Sequence, residues 1–549
     1  MQTLVFLAGH QGQTVTREQF FSSVWKDLVV NEEALSRAIS LLRTALGDNA
    51  YTPNYIQTIP GVGYRLIADV GLIEKGFPTA TSEEKNCNNS IAVLPFINLS
   101  EDPANEYFSD GITEEILNVL AQINRFKVVG RTSSFAFKDR NKDVRKIGKA
   151  LNVSHVLEGS VRKAGTQVRI TAQLISADDG YHLWSKTFDR ELGDIFAVQD
   201  EIAAAISSSM KSELLGSEQV RHTSGGTNNA EAYQAYLMGM HYRNRGALRE
   251  TVSHAADAFQ RAIELDPEYS RAYAGLAFTW NDLVWNGYES QEDGLRHMNL
   301  AASKAIDLTP GLADGHLALG LSLQMDFKKQ RSAQNAISRA MKLNPGNTRV
   351  LIEYSRIHCN LGNHETSIAA ARKALELDPV SVYTNHWLGH TLYFARRYEE
   401  AMAVFRQALK LDPHYPKPHY FISLCHYWMS DPLNALEEIQ HEPLTWMRLT
   451  ASVSILHHLG RVDEAVSNFD ALIDVESEDE CSVQQAGIYA QLGEIDLAMK
   501  WLGRAYELGD PGLTQLKINP FFDPLQADIR FEELLVNVGF TEQLIIHEY

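Results

Sequence analysis

"AISRAMKLNP" (Ala336–Pro345), "AARKALELDP" (Ala370–Pro379) and "VFRQALKLDP" (Val404–Pro413) end on prolines spaced by 34 residues, twice in succession. "AFQRAIELDP" (Ala258–Pro267) and "AASKAIDLTP" (Ala301–Pro310) close the same way. A fixed period of this size marks stacked copies of one supersecondary unit. Each segment reads as a helix stopped by its proline. "LGNHETSIAAA" and "ARRYEEAMAVF", upstream of two of these endings, are helix–turn signals. Ala262, Ala305, Ala340, Ala374 and Ala408 recur where two helices must approach closely, and Phe259 and Phe405 fill the layer between them.

The period, alanine, aromatic and terminal proline together resemble the tetratricopeptide repeat, a helix–turn–helix unit. The resemblance covers roughly Asn228 to Gly509 and implies an all-α solenoid. "LGRVDEAVSNF" and "LGEIDLAMKWLGRAYELGDP" read as two further, less regular units. The longer interval between Pro267 and Pro310 predicts an insertion around "NGYESQEDG". "FFDPLQADIRFEELL" (Phe521–Leu535) reads as a capping segment with a polar outer face. Trp280, Trp285, Trp387 and Trp428 are expected in the repeat core rather than around a ligand. The family's usual role implies a protein or peptide partner on the concave face.

The chain has 549 residues, more than one core supports, and a net charge of −19. That charge repels phosphate backbones, so contact with nucleic acid has to come from a local surface. The four cysteines, Cys87, Cys359, Cys425 and Cys481, form no C-x-x-C pair, which suits a reducing compartment. No apolar run is long enough to span a bilayer, and no basic residue precedes "LVFLAG". The reading is cytoplasmic.

Toward the amino end, "NEEALSRAISLLRTALGD" (Asn31–Asp48) places Leu35, Ile39, Leu42 and Leu46 at i, i+4, i+7 and i+11, one apolar stripe of a helix. Asn31 is the candidate N-cap and Gly47 the candidate stop. Ser36, Arg37, Ser40, Arg43 and Thr44 lie away from the stripe. Before it, "TREQFFSSVW" opens with Thr16 and Gln19 at capping-box spacing. After it, "YIQTIPGVGYRLI" predicts two short strands around Gly61 and Gly63. Helix, loop, exposed helix and hairpin is a winged-helix order, in which the second helix enters the major groove.

These motifs resemble, in order and spacing, the OmpR/PhoB-type DNA-binding domain of bacterial regulators. The resemblance implies double-stranded DNA as a partner. By position it assigns Ser36, Arg37, Ser40 and Arg43 to the DNA-facing helix surface, and Thr58, Pro60 and Tyr64 to the wing. Arg37 is the candidate for a base edge, since a guanidinium can be bidentate to guanine; Ser40 and Arg43 are candidates for phosphate. The family begins with a small sheet and a full first helix, whereas "MQTLVFLAGHQGQ" starts within that helix, so an N-terminally truncated domain is expected. The segment to Val70 carries five basic and six acidic residues, so few phosphate contacts and a shallow salt dependence are expected, with homo-oligomerisation or a tandem site adding affinity.

Between these regions, "SIAVLPFINLS" and "FKVVGR" read as strands, and "YFSDGITEEILNVLAQI" and "DVRKIGKALNV" as helices. "HVLEGSVRKAGTQVRITAQLISA" reads as a hairpin around Ala164-Gly165, and "IFAVQDEIAAAISSSM" as a closing helix. The alternation predicts an α/β layer. "AVLPF", "FSDGITEEI", "LEGSVR" and "DIFAVQDEIA" resemble the TolB N-terminal-like domain. Asp110, Glu114 and Glu115 read as acids favoured by a helix start rather than as a catalytic pair. No phosphate loop, dinucleotide fingerprint or spaced zinc pair is present, and no nucleophile has an evident base, so no catalytic residue, metal or cofactor is assigned.

The expected architecture is multidomain: winged helix-turn-helix (α+β) at 1–70, linker at 71–89, α/β domain at 90–216, linker at 217–229, tetratricopeptide solenoid at 230–513 and cap at 514–549. The reading is a soluble one-component transcriptional regulator of CadC-like type, without that type's membrane helix after the winged helix. Its repeats sense a protein or ligand. The alternative is an interaction scaffold whose winged helix no longer binds DNA. A nucleotide cyclase is a third option, since similar middle and repeat domains accompany such enzymes, but no cyclase motif is visible.

Overall fold

The computed structural model describes residues 6–7, 13–24, 35–36, 39–40, 42–43, 48–49, 53, 55–68, 89–123, 126–138, 143–191, 198, 201–202, 204–206, 225–246, 248–475 and 481–540. It contains two compact units, Met1–Glu84 and Lys85–Tyr549.

In the first unit, β1 (Thr14–Thr16) runs directly into α1 (Arg17–Val24), and β2 (Ile56–Ile59) and β3 (Gly63–Leu66) follow. β3 is the middle strand, antiparallel to both others. The junction of β1 and α1 is a reciprocal cap. The Gln19 N–H donates to Thr16 Oγ1 at 3.2 Å, and the Thr16 N–H donates to Gln19 Oε1 at 2.8 Å. Residues 35–36, 39–40 and 42–43 are helical. Leu35 and Ile39 are buried with Val15, Phe20, Ile56 and Leu66, and Leu42 packs on them. Asn31, Leu46 and Gly47 lie outside the described residues.

The second unit begins with a mixed sheet. β4 (Ser90–Val93), β5 (Ile97–Asn98), α2 (Glu106–Ala121), β6 (Lys127–Val128), α3 (Arg131–Phe135), α4 (Val144–Leu151), β7 (His155–Ala164), β8 (Gln167–Ser176) and β9 (His182–Glu191) follow in order. The strands lie as β6-β4-β7-β8-β9, with β5 beside β7. β4 is parallel to β6 and β7, and the β7–β8–β9 meander is antiparallel. β9 has no sequence signal because it is a mostly exposed edge; Phe188 is its one buried residue. Val198, Ile202 and Ile206, from the expected closing helix, are fully buried in the same core.

Helix pairs form the rest. They are α5 (Ala230–Asn244) with α6 (Arg249–Leu265), α7 (Ser270–Trp285) with α8 (Gln291–Leu308), α9 (Ala313–Gln324) with α10 (Gln330–Leu343), and α11 (Thr348–Asn360) with α12 (His364–Leu377). Next come α13 (Val382–Phe394) with α14 (Tyr398–Leu411), α15 (Pro418–Trp428) with α16 (Pro432–Ile439), α17 (Thr445–His458) with α18 (Val462–Val475), and α19 (Ser482–Gln491) with α20 (Ile495–Leu508). α21 (Ile529–Val538) is the last helix among the described residues and buries Phe531 beside Phe522.

The repeat prolines act one residue upstream. A proline disfavours helical backbone in the residue before it. Asp266, Thr309, Asn344, Asp378 and Asp412 accordingly leave the helix at φ between −136° and −145°, each just after a terminal leucine. The recurring alanines are fully buried. Phe259 lies against Gly239 and Gly275, where an added Cβ would stand 2.8 and 2.5 Å from its ring. The extra length before Pro310 goes into longer helices, 16 residues in α7 and 18 in α8, against 13 in α13 and 14 in α14.

The stretch 217–229, expected as a linker between independent domains, joins parts that share one hydrophobic core, from Ile91 in β4 to Ala272 in α7. α2 lies between sheet and solenoid and is buried on nearly all sides. A Cβ at Gly111 would stand 2.7 Å from Leu237 of α5. This placement corrects the reading of Asp110, Glu114 and Glu115 as helix-start acids. They lie beyond the first turn, whose acid is Glu106. Glu115 pairs with Arg271 of α7, both buried. Glu114 accepts from Arg131 at 2.5 Å and from Asn244 of α5 at 2.9 Å. Asp110 accepts from Lys138 at 2.6 Å. Burial raises the Glu114 pKa; burial also opposes the charge on Arg271, but Glu115 outweighs it and the net shift is upward.

A second contact lies a hundred residues on. The Gly130 N–H donates to the Leu377 carbonyl at 2.7 Å, and the Ser133 N–H donates to the buried Asp378 carboxylate at 2.7 Å. A Cβ at Gly346 would stand 2.5 Å from the Ala121 carbonyl oxygen. The α/β layer therefore braces several repeats. Replacing Arg271 with alanine strands the Glu115 carboxylate in the core and should cost about 3–5 kcal/mol in urea denaturation. The joint replacement Glu115→Leu with Arg271→Met, which removes both charges, should recover most of that loss.

Candidate nucleic-acid interface and solenoid cavity

The wing is a tight turn. The Val62 N–H donates to the Ile59 carbonyl at 3.1 Å, with Pro60 and Gly61 between them and Gly61 at φ +74°. Proline followed by a residue of positive φ suits this turn. Gly63 is needed for a different reason: a Cβ there would fall 2.0 Å from the Val15 carbonyl oxygen, inside the β1–β3 ladder. Pro60, Gly61 and Val62 form an exposed tip, and Thr58 is exposed beside it.

The predicted contact residues divide among three surroundings. Ser36 and Ser40 are exposed on the helical segment, on the side away from Leu35 and Ile39. Arg37 lies outside the described residues. Arg43 is turned onto the wing strand: its Nη2 donates to the Ile56 carbonyl at 2.7 Å and to Thr58 Oγ1 at 2.8 Å. It joins helix to hairpin across the same face. Tyr64, expected at the wing surface, is corrected to a core residue. It is 7% exposed and meets Phe20 edge-on at 6.2 Å, because its strand position faces β1 and α1. Asp48 was not singled out. It fixes the entry to β2, accepting from the Tyr55 N–H at 3.3 Å and the Ile56 N–H at 2.8 Å.

In the second unit the solenoid encloses a cavity of about 800 Å³. Residues from distant repeats meet there: Trp285 of α7, Arg349 and Arg356 of α11, Trp387 of α13, and Lys417 just before α15. Arg356 lies 4.5 Å from the Trp387 ring centroid and 6.0 Å from that of Trp285. Trp285 is 61% exposed and lines the cavity instead of the repeat core expected of it; Trp387 packs on the repeat core at Leu351 and Ile352 as expected and lines the cavity as well. Trp280 stacks on His297, and the Trp428 indole donates to Tyr393 Oη at 2.9 Å. The cavity has no motif in the sequence, since its lining is spread over more than a hundred residues.

Residues 1–66 match the family model described as transcriptional regulatory protein, C terminal. Residues 85–205 match the HilA/YgeH-like transcriptional regulator, second domain. Residues 348–381 and 382–415 match tetratricopeptide repeat models. A putative adenylate cyclase 3 of Rhizobium meliloti is 39% identical over 241 residues, 43% of this chain and 40% of that protein. The transcriptional regulator HilA of Salmonella typhimurium is 21% identical over 415 residues, 75% of this chain and 65% of HilA. The transcriptional activator CadC of Escherichia coli is 40% identical over 68 residues, 12% of this chain and 13% of CadC. The chain thus spans less than two thirds of the length of each of these relatives.

Two substitutions test how the wing and its platform are built. Thr16→Ala removes one half of the reciprocal cap and should cost the first unit about 0.5–2 kcal/mol. Gly63→Ala should cost more, since the new methyl displaces β1. Pulse proteolysis of the full chain in urea, with cleavage sites within 1–84 assigned by mass spectrometry, should rank wild type above Thr16→Ala above Gly63→Ala.

Proposed function

We propose that this chain, an OmpR/PhoB-type winged-helix domain followed by a HilA-like second domain and tetratricopeptide repeats, is a one-component regulator that binds promoter DNA through the winged helix and responds to a molecule held by the solenoid. What most supports the DNA-binding half is one juxtaposition. The exposed side of the helical segment, with Ser36 and Ser40, adjoins the exposed wing tip at Pro60 through the Arg43 bridge to Thr58. Ser36, Arg37 and Ser40 take the groove contacts in this reading, with Arg37 on a base edge. Thr58 and Pro60 follow the flanking backbone, and Arg43 holds the wing at its distance from the helix.

The reading is non-enzymatic and cytoplasmic. No helix among the described residues is long and apolar enough to cross a membrane. The adenylate cyclase similarity spans only part of that protein. With five basic and six acidic residues up to Val70, affinity rests on few phosphate contacts, and a second copy or a second site supplies the remainder.

The test selects duplexes from a random library with the full chain and measures affinity by fluorescence anisotropy at several salt concentrations. Arg37→Ala should weaken binding by about 1–3 kcal/mol and relax specificity at one base pair. The salt dependence should be shallow. Failure to enrich any sequence, or equal affinity of wild type and Arg37→Ala, would favour the scaffold alternative.

A further inference from the structure

The charges lining the solenoid cavity are unevenly paired. Three acids line it, and each already has a partner: Asp282 with Arg243 at 3.1 Å, Glu289 with Arg249 at 3.5 Å, and Glu353 with Arg356 at 2.6 Å. Arg349 and Lys417 also line it, and among the described residues neither has a carboxylate within ion-pair distance. Arg349 lies 4.2 Å over the Phe278 ring, and Lys417 Nζ is 5.8 Å from the Trp285 ring centroid. Positive charge therefore exceeds negative on the wall once internal pairs are counted.

The lysine is held in place by its backbone. Lys417 stands between Pro416 and Pro418 at φ +85°, a conformation that a side chain rarely adopts. The buried Glu442 keeps it there, accepting from the Lys417 N–H at 3.1 and 3.0 Å and from the Tyr420 N–H at 3.2 Å. Burial and the neighbouring Arg356 lower the Lys417 pKa; the Glu442 carboxylate opposes them without reversing the net shift. His386 and His390 stay neutral beside it. Burial is the main cause for both, and it pushes His386 down to about 3.

Polar atoms on the same wall have no protein partner. They are Nε2 of Gln324, Nδ1 of His386 and Nδ1 of His390, on side chains more than nine-tenths buried. Buried polar atoms are almost always satisfied, so an unpaired cluster around a cavity signals a molecule that completes it. Trp285 and Trp387 flank the cations with flat apolar faces.

The geometry points to a small-molecule site in the solenoid cavity, for a ligand that carries an oxyanion on a flat aromatic body. The oxyanion meets Lys417, and the ring lies between Trp285 and Trp387, beside the Arg356 that Glu353 already pairs. This assignment rests on the reading of the solenoid as the sensing part. A carboxylate and a phosphate share the chemistry, and the test separates them.

Full-chain protein is titrated with anilinonaphthalene sulfonate, an anionic aromatic fluorophore, and with uncharged phenylnaphthylamine of similar shape. Lys417→Met should weaken the anionic probe about 10–100-fold, the loss of one hydrogen bond to a charged group, and change the neutral probe less than about twofold. Lys410→Met, an exposed cation on α14, should change neither. Benzoate or phenyl phosphate should displace the anionic probe, and the stronger competitor names the headgroup. Equal affinity of wild type and Lys417→Met overturns the site, as does equal binding of the two probes. Displacement by an acidic peptide alone replaces it with a peptide groove. Duplex binding is measured on the same samples. Lost probe binding with intact DNA binding sinks this inference alone; intact probe binding without DNA binding sinks only the regulator reading.

Discussion

The second unit depends on a pair of opposite charges out of reach of water. Glu115 and Arg271 come from residues 156 apart, one in the α/β layer and one in the solenoid, and neither is tolerable in the core without the other. Such a pair adds little net stability compared with apolar residues of the same shape, but it severely penalises any arrangement that separates its members. Glu114 repeats the principle with Arg131 and Asn244. The Leu377–Val380 turn repeats it with neutral partners, through Ser133 and the Gly130 N–H. A solenoid touches itself only between neighbouring repeats, so its curvature is ordinarily soft. Here a braced layer spans several repeats and sets that curvature.

The brace bears on the cavity. Trp285, Arg356 and Lys417 belong to different repeats, and their approach within 6.0 Å requires a fixed curve. A ligand that draws them closer, or forces them apart, works against the α/β layer as well as the helices. This gives a physical route by which occupancy of the solenoid could be felt at its amino-terminal side.

What the sequence revealed was local. The Thr16–Gln19 cap, the Leu35–Ile39 stripe, the Gly61 turn and the prolines that end each repeat helix all arise from interactions within a few residues. They were legible for that reason. Long-range pairing was not. Tyr64 reads as a wing residue because a tyrosine after glycine gives no sign of which side of a three-stranded sheet it faces. Arg43 reads as a phosphate ligand because nothing nearby shows that the Ile56 carbonyl is within reach. Asp110, Glu114 and Glu115 read as dipole partners because Lys138, Arg131 and Arg271 lie far along the chain. The cavity cations share no motif, and only the curvature brings them together.

Native-state hydrogen exchange of the full chain, across rising urea, probes most directly whether layer and solenoid are one cooperative body. Amides in α2 and α7 should report the same opening free energy and the same urea dependence, since they share a core and an ion pair. If α2 and the sheet exchanged through a cheaper opening while α7 stayed protected, the two would be separate domains in contact, and the fixed curvature that organises the cavity would be lost.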